Sequence, residues 1–301
     1  MNALDKSKVL LEALPYLKAF DRKFVVIKIG GSTMTDQKIL PSVVRDVVFL
    51  EQVGVWPIIV HGGGPRISEE MERRGLKPAF VQGRRVTDEA TLEIAHKVLI
   101  DEISANVVEL IQQEDGKAIP LNGRDSRFLR CEKKIFPEDP GLDLGYVGEI
   151  SEIDAELAQR IASGGIIPVV APIARGQDKH LYNVNADSAA WKIAAEVKAE
   201  KLVYLSNVPG ILQDKNDPAT LISSIALPEC GELIKQKVIV GGMIPKIEAC
   251  MAALKAGVRK THVISGLQQH SLLLEIFTPE GIGTEIRSAA LKPPPSGRSG
   301  F

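Results

Sequence analysis

Two lysines in this chain occupy places where a lysine needs an anion. Lys28 lies inside the apolar run Phe24–Ile29, and that run ends in Gly30-Gly31-Ser32. A cation at the end of a buried strand is costly without a negative partner. A second apolar run, Trp56–Val60, ends in His61-Gly62-Gly63-Gly64-Pro65. Glycines let backbone N–H groups approach an anion closely, and a following helix points its positive end at it. Neither GxxxxGK[ST] nor GxGxxG is present, so the pattern is neither the P-loop nor the dinucleotide fingerprint. One glycine pair alone reads as a tight turn; two such turns, one with a lysine beside it, read as phosphate binding. Lys246 follows Gly241-Gly242-Met243-Ile244-Pro245 at the start of a helical pattern. A cation there opposes the helix dipole, a conflict that a shared anion resolves.

Two further segments precede helical patterns. Tyr182-Asn183-Val184-Asn185-Ala186-Asp187 offers Asp187, which taken alone reads as a helix cap. Gly83-Arg84-Arg85-Val86-Thr87-Asp88 offers a cap in Asp88 and two arginines. An arginine beside a turn is either surface charge or a two-pronged grip on a carboxylate.

The elements that must position these residues follow from periodicity. The runs Phe24–Ile29, Trp56–Val60, Ile166–Val170, Lys201–Leu205 and Thr261–Ile264 are short, apolar and β-branched, as strands buried on both faces of a parallel sheet are. Helical patterns alternate with them: Pro41–Val53, Ile67–Arg74, Glu152–Ser163, Ser188–Val197 and Met243–Ala256. In Glu89 to Gln112 one apolar face collects Leu92, Ala95, Leu99, Ile103, Val107 and Ile111. The alternation predicts an α/β fold on a mostly parallel sheet. Gly123 to Gly148 breaks the rhythm and reads as β-hairpin material with a mobile tip. A composition shift at Gly176–His180 marks either a lobe boundary or a surface loop. Leu4 to Phe20 reads as an amphipathic helix kinked at Pro15, and the tail from Lys292 as disordered.

The 301 residues are 45% hydrophobic and 25% charged, and the formal net charge is −1. No global positive field exists to hold nucleic acid or an anionic membrane. The longest apolar stretch, near Ile166 to Ala174, contains two prolines and is too short to span a bilayer. Cys131, Cys230 and Cys250 lie far apart, with neither metal-ligand nor disulfide spacing. They read as small buried side chains in a soluble protein of the reducing cytoplasm.

The stretches VVIKIGG, IIVHGGGP, GRRVTD, GYVGEI, IIPVVAPI, YNVNAD, LSNVPGIL, GGMIPK and EIFTPEGIGTEI, spread from about Val9 to Ile286, together resemble the amino-acid kinase superfamily. GxRVTD with NVNAD and GGMIPK is similar to its acetylglutamate kinase branch. The resemblance implies an open αβα sandwich. Residues 1–22 would be an oligomerisation helix, 23–180 an acetylglutamate-binding and dimer-forming lobe, 181–287 an ATP-binding lobe and 288–301 a disordered tail. The implied reaction is transfer of the γ-phosphoryl group of ATP, with Mg2+ carried on the nucleotide, to N-acetyl-L-glutamate for arginine synthesis. Lys28, Asp187 and Lys246 match the catalytic positions. Gly63, Gly64, Arg85 and Asn183 match those for the acceptor. Gly30, Gly31, Asn207, Gly210, Gly242 and Met243 match those for ATP. No residue matches a metal ligand. The N-terminal helix resembles that of arginine-inhibited members, which links dimers into hexamers, and His270–Thr284 resembles part of their arginine site. The chain departs from the family pattern at Ser32, Arg84, Pro120, Asn122 and Asn207. A different acyl amino acid as substrate, such as an aminoadipate derivative, or a weakly active arginine-sensing relative, are the alternatives.

Overall fold

The computed structural model describes residues 2–278 and 281–288. The tail expected to be disordered lies outside the described residues, save Ser288 at its start.

Eight strands form the central sheet in the order Ser224–Ala226, Thr284–Arg287, Lys260–Ser265, Lys201–Ser206, Phe24–Ile29, Trp56–His61, Ile167–Val170, Ala118–Leu121. All neighbours run parallel except Lys260–Ser265 with Thr284–Arg287. The two central strands, Phe24–Ile29 and Lys201–Ser206, are buried along their whole length. Their continuous apolar runs reflect helices covering both faces. The expected strands each match within one residue at either end.

Alternation along a strand sends successive side chains to opposite faces. Phe24 and Val26 join one core with Tyr204, Ala189, Ala190, Ile193, Ile247 and Cys250. Val25, Ile27 and Ile29 join another with Val43, Val47, Ile94, Val98 and Leu272. Lys28 has the parity of Phe24 and Val26. It therefore points to the face covered by the helices Ala186–Glu196 and Met243–Lys255, which carry Asp187 and Lys246.

The helical stretch Glu89–Gln113 is unbroken, but its middle, Lys97–Ser104, is wound as a π-helix. The spacing of its buried residues gives the reason. Ala95, Leu99, Ile103, Val107 and Ile111 recur every fourth residue, and at 3.6 residues per turn such a row drifts around an α-helix by about 40° per step. Wider turns return the drifting row to the core. The helix expected from Glu152 begins at Ala155, because Glu152 and Ile153 belong to a strand and Asp154 supplies the cap, accepting from the Leu157 amide at 2.9 Å.

The irregular segment after Gly123 does form a hairpin, Leu129–Lys133 against Val147–Ile153. These strands close a small barrel with Ile173–Gly176 and Leu181–Val184. Gly176–His180 is the turn between the latter two, closed by the Gly176 amide on the His180 carbonyl at 2.8 Å. The N-terminal helix spans Ala3–Phe20 and contains Pro15. Phe20 is buried and Tyr16 partly so, whereas Leu10 and Leu11 are 71% and 68% exposed. No helix among the described residues is long and apolar enough to cross a membrane. Cys131, Cys230 and Cys250 are free and buried.

Gly123 joins the sheet to the barrel, and a Cβ there would lie 2.5 Å from the Ala174 carbonyl carbon and the Arg175 nitrogen. Gly123→Ala should therefore destabilise the protein by about 1–3 kcal/mol, read as a lowered urea midpoint. An unchanged midpoint would show that the barrel strand can shift.

Candidate active site

The C-terminal ends of the three adjacent strands Trp56–His61, Phe24–Ile29 and Lys201–Ser206 deliver the Gly62–Gly64 turn, the Gly30–Gly31 turn and Asn207 to one edge of the sheet, the edge at which open α/β sheets bind ligands. The two glycine turns touch. A Cβ on Gly31 would meet the Pro65 ring at 2.6 Å, and the Cβ position of Gly62 is 3.7 Å from the Gly31 nitrogen and 3.9 Å from Lys28 Nζ. Close approach of this kind is the physical demand for glycine at Gly31, whereas a Cβ on Gly62 would make only ordinary contacts.

Asp187 is the hub of the site. Lys28 Nζ lies 2.7 Å from its Oδ1 and Lys246 Nζ 3.2 Å from its Oδ2. The two lysines are only 8% and 9% exposed. Burial works against the charge on Asp187, but Lys28 and Lys246 prevail and hold its pKa down to about 2. Burial lowers the Lys28 pKa, Asp187 opposes that shift, and Lys246 adds to it. Asp187 is not the helix cap. Asn185 fills that role, accepting from the Ser188 amide at 2.9 Å, and so leaves the Asp187 carboxylate free for the lysines. Asp88 does cap its helix, accepting from the Thr91 amide at 2.8 Å.

A cavity of about 220 Å³ opens beside this triad, its wall including Lys28, Gly63, Gly64, Arg85, Asn183 and Ser188. Arg85 is buried rather than a surface charge. Its Nη2 donates to the Gly64 carbonyl at 2.8 Å and to Ser68 Oγ at 2.9 Å, and its guanidinium stands 4.7 Å from the centre of the Phe80 ring. Asn183 lies across the cavity on the barrel strand, its amide donating to Thr87 Oγ1 at 3.4 Å. Arg84 lines the same cavity, 5.9 Å from the Phe136 ring centre.

The sequence-derived candidates thus divide. Lys28, Asp187, Lys246, Gly63, Gly64, Arg85 and Asn183 converge. Gly31 abuts the same turn, while the Gly30 amide is already used, donating to the Leu205 carbonyl at 3.1 Å. Gly242 caps and Met243 begins the helix that carries Lys246; the cavity wall includes neither of them, and Asp187 and Lys246 join it only through the ion pairs that link them to Lys28. Asn207 is exposed at its strand end, and Gly210 is packed against Thr284, where a Cβ would meet Oγ1 at 2.7 Å.

Tyr204 escaped sequence reasoning. Its ring centre lies 5.0 Å from Lys246 Nζ and its hydroxyl donates to the Asp187 carbonyl at 3.1 Å. The signal was a single aromatic in an otherwise aliphatic strand. Among the described residues no cluster of three His, Cys, Asp or Glu side chains could hold a metal ion. The one carboxylate of the triad is occupied by two ammonium groups.

Residues 23–265 match the amino acid kinase family. The chain is 48% identical over 285 residues to an acetylglutamate kinase of Methanobrevibacter smithii, covering 92% of this chain and 98% of that one. It is 48% identical over 298 residues to an acetylglutamate kinase of Aquifex aeolicus, covering 95% and 99%. Among solved structures, the N-acetylglutamate synthase of Neisseria gonorrhoeae, complexed with coenzyme A and N-acetyl-glutamate, superposes with a TM-score of 0.85 at 25% identity. That match covers 95% of this chain but 64% of the synthase. The chain belongs to the amino acid kinase family, and within it to the acetylglutamate kinases.

Proposed function

We propose that the chain transfers the γ-phosphoryl group of ATP to the side-chain carboxylate of N-acetyl-L-glutamate, giving N-acetyl-L-glutamyl 5-phosphate for arginine biosynthesis. The observation that carries this reading is the Lys28–Asp187–Lys246 triad, whose Lys28 lines a cavity shared with Arg85 and Asn183. A carboxylate oxygen of the acceptor forms the new P–O bond as the bond from Pγ to the β,γ-bridging oxygen breaks, and ADP leaves with the electron pair. The acceptor is already anionic, so no general base is needed. Positioning and charge neutralisation carry the rate. Lys28 and Lys246 meet the charge on the phosphoryl oxygens and the leaving group, Asp187 keeps both ammonium groups in place, and the Gly31, Gly63 and Gly64 amides face the transferring group. Arg85 takes the α-carboxylate and Asn183 the acetamido end. Gly30, Gly31, Asn207, Gly210, Gly242 and Met243 form the ATP side, residues 181–287 the nucleotide lobe and 23–180 the acceptor lobe. Mg2+ arrives with the nucleotide.

The regulatory part of the proposal is a cytoplasmic dimer, joined through residues 1–22 into a hexamer and inhibited by arginine. Support comes from the exposed apolar surface of the N-terminal helix at Val9, Leu10, Leu11 and Leu14. A buried polar cluster near its end adds to this: His262 Nδ1 lies 2.5 Å from Glu275 Oε1, and Lys201 stands 5.0 Å from the ring centre of Phe20. A coupled ADP-release assay with N-acetylglutamate, glutamate, aspartate and acetylaminoadipate tests the substrate; a preference for acetylaminoadipate would favour the other-acyl-amino-acid alternative.

Lys28→Ala, Lys246→Ala and Asp187→Asn should each lower kcat by about a hundredfold or more while the acceptor KM changes little. A Lys246→Ala protein of full kcat would remove that residue from the chemistry. Arg85→Lys keeps the charge but loses the planar fork. It should raise the acceptor KM about tenfold and leave the KM for MgATP nearly constant; equal damage to both would contradict its place on the acceptor side. Deleting residues 1–20 should turn a hexamer into a dimer and weaken arginine inhibition, with basal activity retained. Light scattering and an arginine titration check this, and a truncated protein as sensitive as the full chain would sink it.

A further inference from the structure

His61, the last residue of the Trp56–His61 strand, is fully buried directly behind the Gly62–Gly64 turn. Its Nδ1 lies 3.1 Å from the Gly62 carbonyl oxygen, and its Nε2 lies 2.7 Å from Ser104 Oγ. A carbonyl can only accept, so Nδ1 carries the proton and Nε2 accepts from the serine hydroxyl. Burial lowers the imidazole pKa to about 4, and the nearby Lys28 charge acts in the same direction. The ring is therefore neutral at working pH and keeps both bonds.

Ser104, itself fully buried, ends the π-wound segment Lys97–Ser104. The same segment presses Leu99 and Ile103 onto the turn; a Cβ on Gly63 would lie 2.6 Å from Leu99 Cδ2 and 2.7 Å from Ile103 Cδ1. In an α-helix the fifth residue after Leu99 would point about 140° away from it. A helix closed by i→i+5 bonds brings that residue back to nearly the same side. The π winding thus lets Leu99 and Ile103 press on the glycine turn while Ser104 reaches His61 behind it.

We infer that His61 and Ser104 are positioning residues for phosphoryl transfer: together they hold the Gly62 carbonyl inward, which turns the Gly63 N–H toward the cavity. The peptide plane enforces this, since the C=O and the following N–H point in opposite directions across a trans bond. Fixing one bond to the carbonyl aims the donor on the far side, with no reorganisation left for the moment of reaction. The inference rests on the kinase reading of this cavity.

Steady-state kinetics on Ser104→Ala and Ser104→Thr decide it, with ring-nitrogen NMR of His61 in the full chain. Ser104→Ala should lower kcat about tenfold with both KM values within about twofold, because a misaimed donor is missed most in the transition state. Ser104→Thr keeps the hydroxyl and should restore most of kcat. The NMR should show the proton on Nδ1. Full kcat in Ser104→Ala, a loss that Ser104→Thr does not repair, or a proton on Nε2 would each overturn the inference. No turnover of N-acetylglutamate by the unaltered chain would refute the kinase reading itself and remove this inference with it, a result distinct from an active parent with an unaffected Ser104→Ala.

Discussion

Asp187 stands between two ammonium groups that the fold has taken almost entirely out of water. Burying one ion costs several kcal/mol, and a single carboxylate between two lysines compensates only part of the cost for three. The site is thus left with surplus positive charge that an incoming phosphoryl group can satisfy. The surrounding structure serves this constraint. The sheet supplies the low-polarity floor, with Val26 and Tyr204 on the side that Lys28 faces. Asn185 takes over the helix cap so that Asp187 need not. Tyr204 offers its ring to Lys246 and its hydroxyl to the Asp187 carbonyl, bracing the triad from below.

The far wall of the cavity is built on a different principle. Arg85 and Asn183 come from separate elements, a two-residue strand and the barrel, and line one cavity. The Thr87 carbonyl accepts from the Tyr146 amide at 2.7 Å, and the Tyr146 carbonyl from the Asn183 amide at 2.9 Å. The segments that carry Arg85 and Asn183 are thereby tied through backbone bonds, which hold geometry better than long side chains can.

The sheet and most helices were legible because burial on both faces demands nearly continuous apolar runs, as in Phe24–Ile29 and Leu202–Leu205. Lys28 was legible for the same reason: it is the charge that such a run should not contain. Asp187 was ambiguous, since capping and ion pairing call for the same residue type in the same place, and only the position of Asn185 decides between them. The π segment was hidden. Its four-residue spacing was visible in Ala95, Leu99, Ile103, Val107 and Ile111, but an α-helix tolerates that spacing over short lengths. Tyr204 and Ser104 act through contacts far along the chain, with Asp187, Lys246 and His61, and no local pattern encodes those.

The order of the sheet also constrains how the chain can be made. Ser224–Ala226 pairs only with Thr284–Arg287 among the described strands, and that strand is the last of them in sequence. As the chain leaves the ribosome, residues 224–226 must wait, their ladder groups unpaired, until residues 284–287 emerge. The strands Phe24–Ile29, Trp56–His61 and Ile167–Val170 have each other long before then. Synthesis therefore passes through a stage in which the Trp56–His61 side of the sheet can assemble while the far edge stays open, and such unpaired edges are where nascent chains associate wrongly.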